Sequence, residues 1–292
     1  MSNTHPSEPT PTSAPPSSSQ STLPNPTNDP LLLALTGPTS SGKTTLATAL
    51  RQIFPPPYSL TIHADDFYKP DSLVPVKDGV QDWDCAGAMD LEKFEGVLRA
   101  VKGWKGDEGL EGLQGLLRQG NFEGEEGPMD GVHGVKGISA GVVERLRREV
   151  EGWEERVRRG RRIVIVDGFL LVGKSVRERI AGLCDVRVLL TARFEDAKTR
   201  RESRNGYVTL EGFWEDPEGY FDRVVWPNYV HEHGYLFEEG DVEGIVDEVR
   251  RREEGVVILG LGLTLEEMLE RVVEELKKAL GDKAMTEAPG DQ

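Results

Sequence analysis

The chain is almost free of large apolar residues until Leu31-Leu32-Leu33-Ala34-Leu35, where it turns abruptly hydrophobic. A short apolar run without alternation fits a strand covered on both faces. Similar runs recur at residues 163–166, 186–190 and 256–259, and residues 58–63 supply a further strand. Between them the period changes to that of helices. One spans about residues 43–53 and is stopped by Pro55-Pro56-Pro57. A second is expected over 86–101, with Met89, Phe94, Val97, Leu98 and Val101 as its apolar stripe. A third covers 141–159, with Val143, Leu146, Val150 and Trp153 inward. The last opens on Thr264 with Glu267 three residues later, a capping box, and continues through Met268, Leu269, Val272, Val273 and Leu276. Five short strands alternating with helices predict an α/β fold, a five-stranded parallel sheet with helices on both faces.

Composition sets the limits of that domain. Residues 1–30 hold eight prolines and seven serines, too little apolar surface to offset ordering entropy, so they read as a disordered tail. Residues 103–141 carry twelve glycines and read as a surface insertion, with Trp104, Leu113 and Leu116 as its contacts to the body. Residues 281–292 read as a second tail, leaving one domain over 31–280. Two cysteines, Cys85 and Cys184, make no disulfide framework and fit a cytoplasmic or nuclear setting. A monomer or weak homodimer is expected.

The net charge of −16 argues against general affinity for nucleic acid, and no apolar run is long enough for a membrane span. The charge is unevenly spread. Residues 142–204 hold 17 bases and 11 acids, whereas residues 205–254 hold 4 bases and 14 acids.

Gly37-Pro38-Thr39-Ser40-Ser41-Gly42-Lys43-Thr44 matches G-x-x-x-x-G-K-[ST] directly between a predicted strand and a predicted helix. Glycines let the backbone wrap a phosphate, and the helix N-terminus adds partial positive charge. Gly37, Thr39, Ser40, Ser41, Gly42, Lys43, Thr44 and the following Thr45 are therefore the candidate residues for binding ATP. Lys43 would reach the β/γ-phosphates, and Thr44 would hold Mg²⁺. No Asn-Lys-x-Asp string reads guanine.

The second strand ends in His63-Ala64-Asp65-Asp66-Phe67-Tyr68-Lys69-Pro70. Side chains at the C-terminal ends of parallel strands face the ligand crevice. Asp65 is the candidate base for an attacking hydroxyl. Arg200, Arg201 and Arg204 fall on a predicted lid helix, suited to phosphate and to transition-state charge. Arg200 and Arg204 are the catalytic candidates, and Arg200 and Arg201 the nucleotide-binding ones. His63 reads as a packed strand-end residue, and His231 and His233 as part of a surface helix.

Several motifs in this order resemble the nicotinamide riboside kinase family. They are Asp65-Asp66-Phe67-Tyr68-Lys69-Pro70, Asp82-Trp83-Asp84, Asp167-Gly168-Phe169-Leu170-Leu171, Gly219-Tyr220-Phe221-Asp222 and Val225-Trp226-Pro227-Asn228-Tyr229. The resemblance implies phosphorylation of the ribosyl 5′-hydroxyl of nicotinamide riboside, with nicotinic acid riboside as a second substrate. It implies that Asp65 is the base, that Asp84 holds the ribose hydroxyls, and that Trp83 and Tyr207 flank the ring, with Phe67 in the same subsite. Asp167 stands where the family usually has Glu, one methylene longer. With Thr44 and Asp65 it completes the expected metal-holding set. Two other readings remain: a uridine/cytidine kinase, which shares the phosphate loop, and a nucleotide-binding regulator without turnover.

Overall fold

The computed structural model describes residues 30–56, 58–104, 134–151, 162–204, 206–208 and 212–285. The expected contacts of Leu113, Leu116 and Trp153, and the tail 1–29, lie outside the described residues.

The sheet consists of β1 (Leu31–Thr36), β2 (Ser59–His63), β3 (Ile163–Asp167), β4 (Val186–Leu190) and β5 (Val256–Leu259). The strand order is β2-β3-β1-β4-β5, with every pairing parallel. The apolar runs follow from this order, because helices cover both faces. In β1 the alternation is visible: Leu31, Leu33 and Leu35 enter one core, while Leu32 and Ala34 enter the other. The first core is closed by α1 (Lys43–Ile53), α3 (Ala140–Val150) and α7 (Leu265–Met285), and the second by α2 (Leu91–Lys102) and residues 170–184.

Register fixes the height of the site. Asp167, the last residue of β3, lies opposite both Leu35 of β1 and His63 of β2. The turns leaving these three neighbouring strands therefore emerge at one level.

The structure moves some expected boundaries. α2 begins at Leu91, because the Asp90 side chain accepts from the Lys93 amide (3.1 Å) and caps it there. Residues Ala86–Ala88 form a separate 3-10 turn. α7 runs to Met285, five residues into the expected tail. Its capping box is formed: Glu267 accepts from the Thr264 amide (2.8 Å), and Thr264 Oγ1 accepts from the Glu267 amide (3.2 Å). Trp104 packs into the second core, as expected for the insertion's start. Residues 134–141, expected to belong to the insertion, form a small bridge, Val135 to Ile138, and the start of α3.

Two more helices, α4 (Phe194–Glu202) and α5 (Trp226–His233), flank the C-terminal ends of the strands, and a short α6 (Glu248–Glu253) precedes β5. α5 is not a surface helix on every side. His233 is fully buried, its Nδ1 lies 3.2 Å from the Tyr229 carbonyl, and burial pushes its pKa down to about 4. Among the described residues no helix is long and apolar enough to cross a membrane.

Candidate active site

A cleft of about 1360 Å³ opens over the C-terminal ends of the strands. A single-ligand pocket takes roughly 300–1,000 Å³, so this one has room for two small molecules.

One end is the turn between β1 and α1. Gly37 and Gly42 have φ of 142° and 104°, and Ser40 has φ of 62°. At Gly37 the restriction is also steric, since a Cβ would lie 2.2 Å from the Leu190 carbonyl oxygen. Gly37 thus seats the loop on β4, while residues 39–45 line the cleft. Lys43 Nζ donates to the carbonyls of Gly37 (3.0 Å) and Pro38 (2.9 Å). Burial lowers the Lys43 pKa, against the pull of Asp167 and Asp65. The Ser40 and Ser41 hydroxyls are buried without a partner among the described residues, which leaves them available to a phosphate.

Thr44 Oγ1 donates to Asp167 Oδ2 at 2.7 Å. Strand register brings this about, and the shorter Asp side chain suffices for direct contact. His63 Nδ1 lies 3.5 Å from the same oxygen, so His63, only 27% exposed, packs beside Asp167 at the strand end. Burial opposes the Asp167 charge, but His63, Lys43 and Thr44 hold its carboxyl below the ordinary value. A hydroxyl and an ionised carboxylate, without a surrounding cage, suit Mg²⁺, which keeps waters and phosphate oxygens as its other ligands. Among the described residues no group of three or more His, Cys, Asp or Glu is placed to hold a metal alone.

Asp65 sits on the 3-10 turn Ala64–Phe67 that follows β2. Water reaches it through the cleft mouth, yet protein surrounds it. Burial and the Asp167 charge raise its pKa to about 6, against Lys43 and His63. A carboxylate poised near neutral pH is what base catalysis calls for. Asp66 lines the outer cleft. Phe67 points the other way: it is buried against Phe94, with centroids 4.6 Å apart, and belongs to the second core, not to the substrate subsite.

The other end of the cleft is assembled from distant segments. Trp83 and Asp84 line it, with Tyr68, Phe169, Tyr207 and Trp214. Tyr68 stacks on Phe169 (6.3 Å, 19°), and Trp83 lies between Tyr68 (5.5 Å) and Trp214 (5.9 Å). The Trp83 Nε1 and Tyr207 hydroxyl are buried without partners among the described residues. Asn228 holds the 82–84 segment, donating to Asp82 Oδ1 (2.8 Å) and to the Asp84 carbonyl (3.2 Å). The Tyr220 hydroxyl accepts from the Trp83 amide at 3.0 Å. These contacts give the later motifs a physical purpose.

The three arginines separate. Arg200, exposed, donates to the Ser40 carbonyl at 3.2 Å. Arg204 lies just beyond α4, with its guanidinium over the Tyr207 ring (5.7 Å). Arg201, expected at the nucleotide, is instead buried on the opposite side. It pairs in bidentate fashion with Asp84 (2.9 and 3.0 Å) and again with Asp216 (2.6 and 3.1 Å). Burial works against its charge, but the carboxylates more than offset that and raise its pKa.

Tyr68, Phe169, Trp214, Asp216 and Tyr220 join the expected residues around the cleft. Tyr68, Phe169 and Tyr220 stand inside the quoted motifs. Trp214 and Asp216 fall where no periodicity or motif marked them.

A phosphate loop with its Thr–Asp pair, a carboxylate at the next strand end and a second subsite beside it define a P-loop kinase acting on a small molecule. Comparison with known proteins narrows this. The nicotinamide riboside kinase of Schizosaccharomyces pombe is 35% identical over 218 residues, covering 75% of this chain and 85% of that protein. Those of Saccharomyces cerevisiae (35%) and Eremothecium gossypii (36%) align over 219 residues, covering 74% of this chain and 83% and 81% of theirs. The chain belongs to the nicotinamide riboside kinase family. No protein-family profile matches it. Among solved structures, a provisional fructose transport system kinase from Silicibacter sp. is a loose likeness only, with TM-score 0.36 and 19% identity over 60% of this chain and 72% of that one.

Proposed function

We propose that this kinase transfers the γ-phosphoryl group of ATP to the ribosyl 5′-hydroxyl of nicotinamide riboside, giving the mononucleotide for NAD salvage. The observation that carries the reading is convergence. Lys43 and the Thr44–Asp167 pair meet Asp65 from one side, and the Trp83–Asp84 subsite meets it from the other.

ATP lies with its phosphates on residues 37–45. Mg²⁺, held by Thr44 and Asp167 with Asp65 nearby, would neutralise charge on the β/γ-phosphates. Asp65 takes the proton of the 5′-hydroxyl as that oxygen bonds to the γ-phosphorus and the bond to the bridging β–γ oxygen breaks. ADP leaves with that electron pair. Lys43, Arg200 and Arg204 face the charge that spreads over the transferring group. The aromatic walls and the acidic balance of the subsite favour a cationic ring, by about 0.5–2 kcal/mol for one cation–π contact.

The test is formation of nicotinamide mononucleotide from ATP and nicotinamide riboside, followed by chromatography, with Asp65→Ala alongside. Product from the native chain and none from the variant supports the reading. A chain that turns over neither nicotinamide riboside nor nicotinic acid riboside rejects it.

A further inference from the structure

Arg201 uses four of its five N–H groups on two carboxylates. Nε and one Nη2 hydrogen go to Asp216, while Nη1 and the other Nη2 hydrogen go to Asp84. Aromatic rings flank the guanidinium, Tyr207 at 5.1 Å and Tyr220 at 5.5 Å. Asp216 is itself fixed, accepting from Trp214 Nε1 at 2.9 Å. The arginine therefore cannot swing. It keeps one Nη1 hydrogen outside these four contacts, and both Arg201 and Asp84 line the cleft. One donor next to several acceptors is complementary to the two adjacent hydroxyls of a sugar.

The charges also matter. Arg201 with Asp84 alone would be neutral, and Asp216 makes the trio carry net −1. Asp84 and Arg201 line the cleft beside Trp83, Tyr207 and Trp214.

We infer that Asp216 is a positioning and specificity-determining residue: it locks Arg201 against Asp84 and gives the acceptor subsite the negative charge that selects a cationic riboside. The inference rests on the acceptor assignment above. Nicotinamide riboside is a cation, whereas nicotinic acid riboside has nearly the same shape and is a zwitterion without net charge. The pair isolates charge from fit.

The experiment compares the native chain, Asp216→Asn and Trp214→Phe, with kcat/KM measured for both ribosides and KM for ATP. In Asp216→Asn the preference for the cation over the zwitterion should fall about tenfold, KM for nicotinamide riboside should rise and KM for ATP should stay within about twofold. Trp214→Phe, which keeps the charge but removes the anchor and trims the aromatic wall, should raise both riboside KM values by a few-fold with the ratio intact. An unchanged ratio in Asp216→Asn overturns the inference while leaving the kinase reading standing. If Asp216→Asn does not fold, a Trp214→Phe that raises the ATP KM as much as the riboside KM overturns it instead. A native chain inactive on both ribosides defeats the acceptor assignment itself.

Discussion

The two ends of the cleft are built by different means. The phosphate end is one contiguous stretch, residues 37–45, and its binding groups are set by backbone conformation at Gly37, Ser40 and Gly42. The acceptor end draws on four separated segments, around Tyr68, Trp83, Phe169 and residues 201–228, and its groups are side chains holding one another. A backbone site fails through strain at one residue. A side-chain site fails by degrees, through loss of partners, and it can change specificity without losing the fold.

The sharpest attempt to break this division is made where the two ends meet. Asp65→Asn should lower kcat about 10²–10⁴-fold while ATP binding, followed by calorimetry, persists. The folded protein penalises the Asp65 charge, since its pKa of about 6 lies above the ordinary value of 3.8. Stability tied to this group is therefore lost as pH rises from about 4 to 6, and the neutral amide should raise Tm at pH 8. Near-native kcat in the variant would put the base elsewhere.

Next in size is Gly37→Ala. The added methyl meets the Leu190 carbonyl in a left-handed backbone, a cost on the order of 1–3 kcal/mol. KM for ATP should rise at least about tenfold and Tm should fall, while riboside affinity stays put. Equal loss of both affinities would mean that the ends are not separate.

Asn228→Ala is the converse. It strips Asp82 and the Asp84 carbonyl of a donor, worth about 1–3 kcal/mol for a buried acceptor left unpaired. KM for the riboside should rise roughly tenfold, and that for ATP should not move.

The gentlest perturbation is pH. Because Asp65 must be unprotonated to accept a proton, kcat/KM should climb with pH below about 6 and level off above it. A profile flat from pH 5 to 8 would exclude that base.

The same division explains what could be read without coordinates. The strands were legible because burial on both faces leaves unbroken apolar runs, and the phosphate loop because contiguous backbone chemistry leaves a contiguous string. Asp65 and Asp167 were legible as strand-end carboxylates. α2 starts later than its apolar stripe because the cap at Asp90 fixes the first turn. Phe67 was misplaced because a one-residue difference on a 3-10 turn exchanges cleft for core. Arg201 and Arg200 are adjacent and alike, and only the positions of Asp84 and Asp216 send one away from the loop of residues 37–45. Asp216 itself is marked by nothing local, since its role exists only in contact with Arg201 and Trp214.

A cationic riboside presented to the γ-phosphate of ATP should win a direct competition: the native chain with ATP, Mg²⁺ and equal amounts of nicotinamide riboside and uridine, with the products separated and counted. Nicotinamide mononucleotide as the dominant product is the expected result, and uridine monophosphate as the dominant product would contradict it.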